Sequence, residues 1–214
     1  MHSFRDIVFT ISSISDVSEI VPLTVWLIFG SKKTPYLQLG IFFIVCFFVK
    51  LYTLVTADLH ENNMPAYHLL ALLEVAAVYI FYCQLLYGKV FKWGVFLLVI
   101  LHVGNALFFQ KIWTFNSLTW TLDMLFIITL GLIYFYRIYK DEDDYTPLRG
   151  RPDFIITVGW LVYAAGSLFT YLMGSEILSG YAEGFFKNGW FFQTVSNILK
   201  DIIISYGFWL TNKK

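Results

Sequence analysis

The fold turns on one run: Met64-Pro-Ala-Tyr-His-Leu-Leu-Ala-Leu-Leu-Glu74-Val-Ala-Ala-Val-Tyr-Ile-Phe-Tyr-Cys-Gln-Leu-Leu-Tyr87. Only Glu74 in it carries a formal charge. A helix crosses the bilayer core with about 20 mostly apolar residues, and this run is long enough. Breakers bound it, with Asn62-Asn63-Met-Pro65 at the start and Gly88-Lys89 at the end. Six further runs of the same character lie at 6–30, 36–57, 90–110, 114–138, 153–175 and 188–211. Gly30-Ser-Lys-Lys-Thr-Pro35, Gly184 and Asn188-Gly189 punctuate them. The first run is the weakest, because Asp16, Glu19 and Pro22 interrupt it. The expectation is an all-α membrane protein, a single bundle of seven transmembrane helices over residues 1–214. No internal repeat and no soluble appendage is evident.

Composition agrees. The chain has 214 residues, 58% hydrophobic, 20% aromatic and 14% charged, with mean hydropathy +0.65. A soluble domain carries about 45–50% apolar and about 25% charged residues. A water-soluble enzyme, a disordered chain and a disulfide scaffold are excluded. Lys+Arg and Asp+Glu each number 15, so no basic excess points to nucleic acid. Cys46 and Cys83 sit inside apolar runs, outside any metal or redox motif, and no disulfide is expected. No cleavable signal pattern opens the chain, so the first helix would direct its own insertion.

Short-loop charge sets the expected orientation. Lys32, Lys33, Lys89, Lys92, Arg137, Lys140, Arg149, Arg151, Lys213 and Lys214 fall on one side, ten in all, against Arg5, Lys111 and Lys187 on the other. This puts the C-terminus in the cytoplasm and the N-terminus outside, in a bacterial inner membrane. The cytoplasmic loop 139–152, with Asp141-Glu142-Asp143-Asp144, reads as a solvated loop, with a docking surface for a signalling partner as the sharper alternative. Trp93, Trp113, Trp190, Trp209, Tyr136 and Tyr139 fall near span ends, as interfacial anchors do.

The spans also carry ionisable groups. Each costs about 2.5–3.5 kcal/mol near the bilayer centre, so such groups turn inward and find partners. Glu19, Lys50 and Glu74 (with His68 above it) occupy the first three spans, and His102 and Asn105 the fourth. Asn116, Thr119 and Asp123 follow in the fifth and Tyr163 in the sixth. In the last span Gln193, Ser196, Asn197 and Lys200 share one face, with Asp201 turned about 100° from it. At 1.5 Å per residue, Glu74, Asp123, Lys200, His102 and Glu19 converge on one layer in the middle-to-outer half of the bundle. Acids at 19, 74, 123 and 201 outnumber cations at 50 and 200. That excess calls for protons or a bound cation. A purely structural network is the alternative.

Other chemistries find little footing. No HxxxH or HExxH occurs, and Asp58-Leu-His60-Glu61 reads as a solvated loop, so no metal is expected. GxSxG, Walker A and GxGxxG are absent, and Ser196 near Lys200 is only a weak Ser–Lys pair. No catalytic residue is assigned.

Lys200 in the seventh span, with Trp160-Leu-Val-Tyr163 in the sixth and Glu74 in the third, resembles microbial rhodopsins, which bind retinal as a Schiff base. Ser196 stands where that family has an Asp, and no Pro follows Tyr163. No cofactor is therefore expected, with retinal on Lys200 as the alternative. A fuller resemblance rests on Ile112-Trp-Thr-Phe-Asn-Ser-Leu-Thr-Trp-Thr-Leu-Asp123, Tyr134-Phe-Tyr136, Asn62-Asn63, Tyr67-His68 and Leu73-Glu74. Phe154 through Phe169, Ser196-Asn197-Ile-Leu-Lys200-Asp201 and Gly207-Phe-Trp209 extend it. These segments resemble an uncharacterised seven-helix family of Bacteroidota, which implies an inner-membrane bundle and brings no established activity.

The expected function is a sensory, receptor-like protein, monomer or homodimer, holding a small polar ligand or proton. Glu74, Asp123, Lys200 and Asp201 would hold it, supported by His102, Tyr163, Asn197 and Ser196. A small proton-coupled transporter is the runner-up, though no inverted repeat is seen. An intramembrane enzyme comes third.

Overall fold

The computed structural model describes residues 4–140, 147–179 and 189–213, with side chains from residue 10 onward. The acidic run 141–144, Gly184, Lys187 and Asn188 lie outside the described residues. The described chain is helical and contains no strand. Its helices are α1 (Phe4–Ser18), α2 (Ile20–Phe29), α3 (Tyr36–Asp58), α4 (Met64–Tyr87), α5 (Lys92–Gly104), α6 (Ser117–Lys140), α7 (Pro152–Leu172), α8 (Gly174–Ser179) and α9 (Gly189–Leu210).

Six segments are long and apolar enough to cross a membrane. They are α1 and α2 taken together from Thr10, then α3, α4, α5 with its continuation to Phe109, α6 and α7. α9 has the length, at 22 residues, but its buried Asn197, Lys200 and Asp201 lower its hydropathy and keep it out of that set. The expectation of several apolar membrane-crossing helices holds, with six rather than seven meeting the apolar standard.

The first span is broken at Glu19, between α1 and α2. Pro22 is the cause. It has no N–H for the Ser18 carbonyl, and its ring crowds that carbonyl. Gly88 ends α4 in the left-handed region (φ 66°), the usual glycine stop. α5 closes in a π-helical turn over Asn105–Phe109, where the Gln110 N–H reaches the Asn105 carbonyl at 2.8 Å. The Gln110 side chain then caps α6, taking the Leu118 N–H at 3.0 Å and donating to Ser117 Oγ at 2.9 Å.

The helices form a ring. α1 and α2 pack on α9, α9 on α7, α7 on α6, α6 on α4, α4 on α3, and α3 back on α2. α5 stands outside it, on α4, and leaves Trp93 82% and Phe108 80% exposed. In a membrane that face meets lipid.

The most extensive seam is α7 against α9. It closes tightly because Gly159 brings α7 down on the α9 backbone, where a Cβ would stand 3.3 Å from the Lys200 carbonyl oxygen. Small residues permit such approaches between membrane helices. Inside the ring, Trp160, Phe43, Phe81, Tyr82 and Phe208 are fully buried.

Chain alternation puts residues 30–35, 88–91, 147–151 and 211–213 at one end. The Ser31 N–H donates to Thr211 Oγ1 at 2.8 Å there. At the other end Asn62 Nδ2 donates to the Trp113 carbonyl at 3.1 Å, and His68 Nε2 lies 3.0 Å from the Thr114 carbonyl.

Candidate functional site

The break at Glu19 places that carboxylate inside the ring, only 4% exposed. Two lysines from other helices reach it. Lys50 Nζ of α3 is 2.9 Å from Glu19 Oε1, and Lys200 Nζ of α9 is 3.8 Å from the same oxygen. Lys200 Nζ also lies 3.4 Å from Asp201 Oδ1. The ring centroids of Tyr163 and Trp160 are 4.6 and 5.2 Å from that ammonium. Lys200 is fully buried, with these acids and aromatic rings as its surroundings.

Asp201 turns from the Lys200 face toward α1. Ser18 Oγ donates to its Oδ2 at 2.5 Å. One turn away, Asn197 Nδ2 donates to Ser15 Oγ at 3.0 Å. The end of α1 is thus fixed to α9 by hydrogen bonds, each compensating for desolvation of its polar atoms.

Above this cluster the ring encloses a cavity of about 360 Å³. It runs from the end marked by Asn63, Met64 and Leu178 down to Glu19, Lys50 and Glu74. Glu74 sits ten residues past Met64, about 15 Å along α4 at helical rise. It is 7% exposed, and its Oε1 is buried without a hydrogen-bond partner among the described residues. Glu19 Oε2 and Trp120 Nε1, also on the cavity wall, are buried and equally unpartnered. A buried acceptor left so costs about 1–3 kcal/mol unless something meets it.

One wall is aromatic. Trp120 stacks on Tyr171 with centroids 4.8 Å apart, and Phe115 meets Trp190 edge-on at 5.4 Å. Tyr163 and Tyr171 share a hydroxyl–hydroxyl hydrogen bond of 3.0 Å, and Gln193 Nε2 donates to the Tyr171 hydroxyl at 3.3 Å. The Glu19–Lys50 pair also floors a narrower apolar groove between α1 and α3, beside Val17, Phe47 and Leu51.

The eight residues singled out from the sequence separate into groups. Glu74, Tyr163 and Asn197 line the cavity. Lys200 and Asp201 lie behind its floor, in the ion cluster. Ser196 faces α7, where its Oγ lies against Gly166. His102 and Asp123 are not on the cavity wall. They join α5 to α6, with Nε2 3.1 Å from Asp123 Oδ2 and Nδ1 2.9 Å from the Leu98 carbonyl. The single layer expected from depth alone is therefore a cluster with a cavity, plus a separate pair.

The pair has a fixed proton count. Nδ1 faces a carbonyl and must carry hydrogen, and the Nε2–Oδ2 contact needs one more. Imidazolium–carboxylate and imidazole–carboxylic acid both satisfy this, and both are neutral overall. His102→Leu leaves Asp123 buried and unpartnered, and is expected to cost about 1–3 kcal/mol. The double variant His102→Leu/Asp123→Leu should regain most of that in thermal unfolding of the purified protein. A double variant no more stable than the single would contradict the pairing.

The sequence did not mark Trp120, Tyr171 and Trp190 as cavity residues. Trp190 reads as an interfacial anchor, yet it packs on Phe115 and Tyr171. Lys50 and Glu19 were visible as intramembrane charges, but their pairing was not. Among the described residues no group of three metal-ligating side chains occurs. Lys200 Nζ lies between the Glu19 and Asp201 carboxylates, and the residue is not on the cavity wall. No family model, no curated protein and no solved structure matches the chain.

Proposed function

We propose that the chain is a receptor-like seven-helix protein of the bacterial inner membrane, with α9 as the seventh span. Its N-terminus faces outward, and a small ligand binds in the cavity above Glu74. The reading rests chiefly on one observation: a 360 Å³ cavity runs from one end of the ring to a buried, unpartnered carboxylate. Ligand pockets are about 300–1,000 Å³, mostly apolar with few convergent polar groups, and this one has that character. The Lys- and Arg-bearing connectors lie at the opposite end, so the positive-inside rule turns the cavity outward. Glu19, Lys50, Lys200 and Asp201 join α1, α3 and α9, which gives a ligand at Glu74 a charged network through which to shift helices. Output would pass to a partner at the cytoplasmic helix ends and the loop 139–152.

Cysteine accessibility tests the arrangement. Ala57 lies on the cavity wall near its mouth, and Lys33 at the other end. In a Cys46→Ala/Cys83→Ala background, a membrane-impermeant maleimide should label Ala57→Cys in intact cells. Lys33→Cys should be labelled only after permeabilisation. The reverse pattern, or no labelling of Ala57→Cys under either condition, would overturn the reading. Uptake of a bound ligand into proteoliposomes would replace receptor with carrier.

A further inference from the structure

The charge of the cavity is out of balance, and its wall shows what chemistry would restore it. Three carboxylates line it, from Asp16, Glu19 and Glu74, against one ammonium, Lys50. Lys50 is already engaged by Glu19 at 2.9 Å. Behind the floor, Lys200 is matched by Asp201 at 3.4 Å. Glu74 has neither an ion-pair nor a hydrogen-bond partner among the described residues, while its carboxylate is more than nine-tenths buried. An anionic ligand would enter against excess negative charge. With a neutral ligand, Glu74 would have to be met by a proton instead.

The aromatic part of the wall is equally informative. Tyr67, Phe115, Trp120, Tyr163, Tyr171 and Trp190 all line the space. Ring faces carry negative potential and attract a cation within about 6 Å, and aromatic enclosures are the recurring means of holding quaternary ammonium groups. Both lysines are held by carboxylates, and Lys200 already sits over the Tyr163 ring, 4.6 Å from its centroid, so Tyr67, Phe115, Trp120, Tyr171 and Trp190 are the rings left for a ligand. A bare metal ion would find few converging oxygens here and much apolar ring surface, which suits an organic cation better.

We propose that the cavity binds a small organic monocation, an amine or quaternary ammonium compound, with its charge on Glu74 and its carbon body against the aromatic wall. This inference deepens the ligand site proposed above and rests on it.

Three water-soluble probes of one shape separate the alternatives. They are choline, its uncharged isostere 3,3-dimethylbutan-1-ol, and the anion 3,3-dimethylbutanoate. Each is titrated into the full-length purified protein in detergent, with heat of binding and intrinsic tryptophan fluorescence, to which Trp120 and Trp190 contribute, as readouts. Choline is expected to bind saturably, and the alcohol and the anion roughly tenfold more weakly or worse. Glu74→Gln should weaken choline by roughly tenfold and leave the alcohol unaffected. If the alcohol or the anion binds as well as choline, or Glu74→Gln binds choline as the parent does, the cation assignment is wrong and the cavity remains a ligand site. If no probe binds while Ala57→Cys is labelled from outside, the cation assignment falls and the outward cavity stands. If that labelling fails as well, both fall.

Discussion

Lys200→Met is expected to lower stability by about 3–5 kcal/mol, the cost of removing one member of a buried charge pair. The ammonium is 0% exposed and is the contact between Asp201 and Glu19 within the cluster. Methionine fills much the same volume, so the loss is electrostatic rather than steric. Without the ammonium, Asp201 keeps only the Ser18 hydroxyl and Glu19 only Lys50. For a chain of this size the apparent melting temperature should fall on the order of 10 °C. Lys200→Met/Asp201→Asn removes the charge and its nearest counter-charge together, and should recover much of the loss. A Lys200→Met protein melting with the parent would show that the ammonium is not held as described.

The helices were legible because membrane insertion has a length rule. The run 64–87 matches α4 end to end, and 36–57 misses α3 by one residue. Charge inside a span was legible too, since few residues other than partnered ones tolerate that position. What did not follow from sequence was azimuth. Depth put Asp123 and His102 in the same layer as Lys200. Yet α5 packs outside the ring, so their pair forms at the α4–α5–α6 side rather than on the cavity. Spacing along α9 did give the divergence of Lys200 and Asp201, because 100° per residue is a property of one helix. Their partners, Glu19 and Ser18, depend on how α1 and α2 pack against α9, which spacing cannot supply. Trp190 shows the same limit. Its position near a helix end fits an anchor, and only the approach of Phe115 and Tyr171 turns it inward.

Pro22 connects sequence and site most directly. Ser18 and Glu19 lie just before it, at the junction of α1 and α2, where Glu19 keeps helical dihedrals (φ −63°, ψ −14°) and both side chains are buried. There Ser18 meets α9, and Glu19 meets α3 and α9. The cost of that acid is offset by Lys50 and Lys200, and the same arrangement leaves Glu74 facing open space.

Glu19 and Lys50, from separate spans, hold each other inside the ring, and the cluster depends on that contact. The direct measurement is a double-mutant cycle of Glu19→Gln and Lys50→Met, read by unfolding free energy of the purified protein. Each single change leaves a buried charge without its partner and should cost about 3–5 kcal/mol. The double variant should cost well below the sum, with a coupling of roughly 1.5–3 kcal/mol. Additivity to within about 0.5 kcal/mol would mean the two side chains do not meet, and the cluster, with the cavity above it, would have to be given up.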